Sequence, residues 1–152
     1  ASSRAISFYL AKFGASSITI LNRNTDKAQN LARDVLASDL IGNVKSDSIS
    51  EINRHLPDAD ILVDTTPLGM DPHINDEPIA TSDNMHEDLV VFDAVYNPNE
   101  TVLIKQAIKA GAKPVYGIKM LLYQVAESFK IWTGRDAPID VMEDALNQFL
   151  GR

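Results

Sequence analysis

The sequence predicts an α/β protein built on a doubly wound parallel sheet, and three observations carry that prediction. Short β-branched runs (Ile18-Thr19-Ile20-Leu21, Ile61-Leu62-Val63, Val90-Val91-Phe92) alternate with stretches of helical periodicity. Alternation of this kind favours parallel strands joined by helical crossovers. The strands end in polar residues, Asn22-Arg23-Asn24-Thr25 and Asp64-Thr65-Thr66 among them, and open α/β sheets bind ligands at the carboxyl ends of their strands.

Each element has its own warrant. Residues 1–13 read as a helix, with Ala5, Phe8, Tyr9, Ala11 and Lys12 at a 3.6 period and Gly14 as its C-terminal cap. Residues 16–21 form the first strand present. Thr25 or Asp26 caps the next helix, whose apolar stripe is Ala28, Leu31, Ala32, Val35 and Leu36. Residues 41–44 are a short strand and 48–55 a short helix. The turn Pro57-Asp58-Ala59-Asp60 leads into a strand of buried type at 61–64. Residues 67–87 are loop-rich, with Pro67, Gly69, Pro72 and Pro78, and a connection of that length usually carries function. A strand at 89–93, a helix from Asn97-Pro98-Asn99-Glu100 to Ala110 and a strand at 113–116 follow. Gly117 breaks into a long helix, 118–132, stopped by Gly134, and a last helix covers 141–150.

The 152 residues suffice for one domain with a sizeable core, and 45% hydrophobic with 23% charged residues is an ordinary globular balance. A net charge of −7 argues against an extended nucleic-acid surface. With no Cys there is no disulfide framework, thiolate nucleophile or Cys-based metal site, and His55, His73 and His86 lack metal-ligand spacing, so no metal is expected. No apolar run approaches a membrane span, and a cytoplasmic enzyme fits.

Arg23 is the most informative single residue. An NAD site usually carries an acidic residue at the end of the second strand, to bond the ribose 2′-hydroxyl. Here the candidate is an arginine, whose planar, permanently charged guanidinium suits a 2′-phosphate and so points to NADP. The alternative is an exposed Arg in a turn. The chain also opens directly into a helix. In a doubly wound sheet the first strand is central and a phosphate-binding glycine loop joins it to the first helix. The expectation is therefore that this strand and loop lie in a longer native chain, before Ala1.

Six motifs, in order along nearly the whole chain, resemble the cofactor domain of shikimate dehydrogenase. They are Ala1-Ser2-Ser3-Arg4-Ala5, Asn22-Arg23-Asn24-Thr25, Thr65-Thr66-Pro67-Leu68-Gly69-Met70, Asp93-Ala94-Val95-Tyr96-Asn97-Pro98, Gly117-Ile118-Lys119-Met120-Leu121-Leu122-Tyr123-Gln124 and Trp132-Thr133-Gly134. The resemblance implies a Rossmann-like, N-terminally incomplete NADP-binding domain over residues 1–152, with a substrate domain upstream. It places the pyrophosphate at the helix start near Ala1, an anion site by its free amides and dipole. It gives Asn22, Arg23, Asn24, Thr25 and Lys27 to the adenosine 2′-phosphate, Thr66 to the adenine side, and Ala94, Gly117 and Met120 to the nicotinamide side. Tyr96 and Gln124 become substrate contacts. Asp64 stands where the family commonly has Asn, and the residues alone allow it to be a local cap of its turn. Gly117 and Ala94 are small, which allows close approach of backbone beside the expected nicotinamide, though Gly117 also reads as a simple strand-to-helix break. Tyr123, Phe129 and Trp132 read as core or domain-interface residues.

The activity implied is reversible hydride transfer between NADPH and 3-dehydroshikimate, in aromatic amino-acid biosynthesis. The family's catalytic Lys and Asp belong to the upstream domain, so no catalytic residue is assigned in this chain; Lys119 and Asp93 are not substitutes. The isolated chain is accordingly expected to be inactive. Small-molecule partners are expected, neither nucleic acid nor membrane, and a homodimer is left open. Two rival readings stand beside this one: a quinate/shikimate dehydrogenase preferring NAD, and a non-catalytic NADP-binding regulatory module.

Overall fold

The structure, a computed structural model, describes residues 2–150. Ala1, expected at the pyrophosphate, lies outside the described residues. The chain divides after Ala59 into two units.

The first unit runs α1 (Ser2–Lys12), β1 (Ile18–Asn22), α2 (Thr25–Leu36), β2 (Val44–Ser48), a 3-10 turn at Ile49–Glu51, α3 (Ile52–His55) and a second turn at Leu56–Asp58. β1 and β2 are parallel, from Ile18 against Val44 to Asn22 against Ser48. Ala11, Ile20, Ala28, Ala32, Val35 and Ile41 form the core, with Phe8, Leu31 and Val44 packed on it. The stripe of α2 faces inward as expected, except that Leu36 is 44% exposed. In α1 the buried residues are Ser7 and Ala11, whereas Tyr9 is exposed and stacks on Phe13 at 5.9 Å. Of the expected stripe, Phe8 and Ala11 face the core, whereas Ala5, Tyr9 and Lys12 are exposed. The second strand is displaced too: residues 41–44 were expected, but Ile41 is core loop and the strand starts at Val44. A run as polar as Val44-Lys45-Ser46-Asp47-Ser48 gives little hydrophobic signal; it is a strand because β1 supplies its ladder.

The second unit runs β3 (Ile61–Asp64), a long loop with a 3-10 turn at Ser82–Asn84, β4 (Val90–Asp93), α4 (Val102–Lys109), β5 (Lys113–Tyr116), α5 (Gly117–Thr133) and α6 (Ile139–Phe149). Its sheet is parallel in the order β3-β4-β5, with α4 packed on β4 and β5. Leu62, Leu89, Val91, Leu103, Ile104, Ala107 and Leu122 are buried. α4 starts four to five residues later than expected, because Thr101 rather than Asn97 caps it: the Thr101 hydroxyl accepts from Ile104 N at 3.3 Å. α5 starts at Gly117 itself and stops at Gly134, which takes the left-handed conformation at φ 68°. Tyr123 and Trp132 are not core, being 59% and 81% exposed; Phe129 is half-buried.

Among the described residues the five strands fall into two parallel sheets, with β1 and β3 each paired on one side only.

Candidate functional site

In the first unit the candidate residues form one turn at the carboxyl end of β1. Asn22 accepts the Asn24 amide on Oδ1 at 2.9 Å, and Asn24 accepts the Lys27 amide on its own Oδ1 at 3.1 Å. Asn24, not Thr25 or Asp26, is therefore the N-cap of α2. The two asparagine oxygens shape the loop, while their amide nitrogens make no hydrogen bond among the described residues. Arg23, Thr25 and Lys27 are exposed. The Arg23 guanidinium has no ion-pair partner among the described residues, unlike Arg4 with Asp34 or Arg54 with Glu51. A cation held on a tight turn at a strand end, and left without an acid, is suited to an external anion.

In the second unit the carboxyl ends of three strands are level. Asp64 lies opposite Asp93, and Asp93 opposite Tyr116. Thr66, Ala94, Tyr96, Gly117 and Met120 thus follow adjacent strand ends. Met120 and Gln124 are one turn apart on α5, hence on one face. Tyr96 is 40% exposed and Gln124 is exposed. Gly117 meets a steric demand: a Cβ there would stand 2.6 Å from the carbonyl oxygens of Asp93 and Val95. The first turn of α5 thus lies tight against the end of β4.

Two carboxyl groups lie under this edge. Asp64 is 2% exposed and Asp93 0%. Asp64 Oδ1 accepts from Thr66 N at 2.7 Å, as a local cap of its turn. Asp93 accepts from Val95 N at 2.9 Å and from the Thr101 hydroxyl at 2.6 Å. Burial pushes the Asp64 carboxyl up to about 6, against hydrogen bonds from the Thr66 amide and hydroxyl, with Asp93 adding repulsion. Burial also raises Asp93, opposed by its bonds to Thr101 and Val95. The Asp93–Thr101 contact was not foreseen. Its sequence signal was a Thr immediately before the apolar run Val102-Leu103-Ile104.

Lys119 pairs with Glu143 across α5 and α6, and that bond raises its pKa. A charged, partnered ammonium has no role as a base here. A pocket of about 180 Å³ opens beside this pair, lined by Tyr116, Leu122 and Leu146, and holds none of the predicted site residues. Among the described residues no cluster of His, Cys, Asp or Glu could hold a metal ion, and no helix is long and apolar enough to cross a membrane.

Parallel strands alternating with helices, and polar turns gathered at the strands' carboxyl ends, define a Rossmann-like α/β protein. Residues 2–107 match the shikimate/quinate 5-dehydrogenase family, and residues 117–146 match the shikimate 5′-dehydrogenase C-terminal domain. The chain belongs to the shikimate/quinate 5-dehydrogenase family. It is 64% identical over 148 residues to an NADP(+) shikimate dehydrogenase of Methanobrevibacter smithii, covering 97% of this chain and 53% of that protein. The corresponding protein of Methanothermobacter thermautotrophicus is 55% identical, with 98% and 52% covered. A crystal structure of a shikimate dehydrogenase in complex with NADP+ superposes with a TM-score of 0.90 at 40% identity, over 98% of this chain and 51% of that one. A quinate dehydrogenase from Corynebacterium glutamicum in complex with NAD gives 0.87 at 26% identity, over 100% and 52%. The chain spans about half the length of the curated relatives it matches.

Proposed function

We propose that this chain is the cofactor-binding portion of an NADP-dependent shikimate dehydrogenase. The observation that carries the reading is Arg23, exposed and without an acidic partner among the described residues, at the end of β1 where an NAD site would carry an acid. NADP(H), when bound, supplies the hydride chemistry exchanged with the ketone of 3-dehydroshikimate. Arg23 holds the 2′-phosphate, with Thr25, Lys27 and the amide nitrogens of Asn22 and Asn24 as further donors. Ala1 is assigned to the pyrophosphate by the family resemblance alone.

In the second unit Thr66 lines the adenine side, and Ala94, Gly117 and Met120 orient the nicotinamide. Tyr96 and Gln124 contact the substrate. Proton transfer is assigned to residues outside this chain, since Asp93 is fully engaged by Val95 and Thr101 and Lys119 by Glu143. The names of the relatives support this reading, as does the higher identity to the NADP+ complex than to the NAD-bound quinate enzyme. The place in chorismate-forming aromatic biosynthesis and the cytoplasmic location follow from the same assignment.

The test is steady-state oxidation of shikimate and of quinate by the full-length protein, each with NADP+ and NAD+. NADP+ with shikimate should give the largest kcat/KM. Preference for NAD+ would move the protein to the quinate/shikimate reading. NADP+ binding without turnover of either acid would identify a non-catalytic module.

A further inference from the structure

Asp64 and Asp93 are cross-strand neighbours in register, each almost fully buried, and each bonds the amide two residues further along its own chain. They do the same work on two successive loops. Asp64 holds the start of the 65–70 loop through Thr66, whose hydroxyl in turn accepts from Leu68 N at 3.3 Å. Asp93 holds the 94–96 segment through Val95. The two loops are tied to each other as well. Ala94 N donates to Asp64 O at 2.9 Å, Asp71 N donates to Asn97 O at 3.0 Å, and a Cβ added at Gly69 would stand 3.5 Å from the Thr101 side chain. Thr101 closes the set by donating to Asp93 while capping α4.

We infer that Asp64 and Asp93 are paired positioning residues, whose carboxyl oxygens fix the loops carrying Thr66 and Ala94–Tyr96 at the sheet edge. A local cap alone would not require burial of two like-charged groups side by side, which is costly. A solvent-facing Asx turn would bond the same amide without that cost. The buried arrangement makes sense where the loop must hold one geometry. The two hooks are not equivalent. Asp93 draws its two donors from two residues, Val95 and Thr101. Asp64 draws both of its donors, amide and hydroxyl, from Thr66, and the titratable group facing it from the neighbouring strand is Asp93; burial raises both carboxyls. Protonation on Oδ2 leaves Oδ1 free to accept the Thr66 amide. What the position requires is therefore an acceptor oxygen rather than a charge, and asparagine supplies one.

The inference rests on the NADP reading for its consequence in binding, and the experiment separates the two. In the full-length protein, amide exchange at Thr66 is measured without cofactor, and the Kd for NADP+ is measured by titration, for wild type, Asp64→Asn and the near-isosteric Asp64→Leu. Asp64→Leu should speed exchange at Thr66 about tenfold, the loss of one local bond, and weaken NADP+ about tenfold. Asp64→Asn should keep both within about threefold of wild type. Equal damage in the two variants, or unchanged Thr66 exchange in Asp64→Leu, would overturn the proposal. If Asp64→Leu does not fold, the wild type still decides, since an unprotected Thr66 amide would mean that the hook is not made. A wild type that does not bind NADP+ would defeat the cofactor reading while the exchange result continues to judge the positioning role.

Discussion

Gly117 approaches Val95 so closely that a methyl group on its Cα would stand 2.6 Å from the Val95 carbonyl oxygen. The Asp93 carbonyl is as near, and both obstacles are backbone, so neither can turn away as a flexible side chain would. The close approach joins the first turn of α5 to the end of β4, the two places that carry Met120 and Ala94.

Gly117→Ala should therefore destabilise the protein, although alanine is the better helix former. Overpacking costs roughly 1–3 kcal/mol, against a propensity gain of about 1 kcal/mol. The net effect should be a lower melting temperature, together with weaker NADP+ binding as the edge is forced apart. A melting temperature equal to or above that of wild type would show that the β4 end yields freely and that the glycine is not required there.

Arg23→Ala in the full-length protein should weaken NADPH far more than NADH. A charge-assisted hydrogen bond contributes roughly 1.5–3 kcal/mol, which is about ten- to a hundredfold in affinity. Arg23 has no ion pair among the described residues, so its removal strands no buried partner and the loss reports the cofactor contact directly. Fluorescence titration with each nucleotide provides the measurement. Equal losses for NADPH and NADH would remove the 2′-phosphate assignment.

The positions of β3, β5, α5 and the Gly134 stop were readable because hydrophobic runs and glycines mark them locally. β2 was misplaced because Val44-Lys45-Ser46-Asp47-Ser48 is polar, and its strand conformation depends on β1, a partner distant in sequence. α4 was started too early because Asn97-Pro98 resembles a helix entry, while the working cap is Thr101, selected by Asp93 eight residues upstream. In the candidate site, the strand-end residues could be named from pattern and resemblance. The division of labour among them could not. That Asn22 and Asn24 spend their oxygens on the loop, and that Asp64 faces Asp93, are facts of register and of bond direction.

Tyr96→Phe and Gln124→Ala should impair shikimate turnover while leaving the Kd for NADP+ within about threefold, each removing one hydrogen bond of roughly 0.5–1.5 kcal/mol. Both side chains are exposed, so neither substitution opens a cavity or strands a buried group, and their melting temperatures should match wild type. Kinetics with shikimate as the varied substrate decide the matter. Wild-type kcat/KM in both variants would return the two residues to the surface.

The pH dependence of stability follows from Asp64. Its carboxyl is raised from an ordinary value of 3.8 to about 6, first by burial and only slightly by Asp93. The folded state therefore binds a proton that the unfolded state has already released. The stabilising effect of that proton is fully present below pH 3.8, and it is lost as pH rises through about 6. Above that range both states are ionised, and the folded protein carries the buried charge at a cost of at most about 3 kcal/mol, at 1.36 kcal/mol per pH unit. Asp64→Asn keeps an oxygen for the Thr66 amide and removes the charge. It should raise stability at pH 8, measured by urea unfolding of the full-length protein, with the advantage shrinking steadily toward pH 4. The trend with pH carries the argument rather than the size at any one pH, because the new amide nitrogen also needs a partner and subtracts a constant amount. Asp93 is present in both proteins and keeps its bonds to Val95 and Thr101. A difference between Asp64→Asn and wild type that stays constant from pH 4 to pH 8 would mean that the titrating carboxyl is not Asp64.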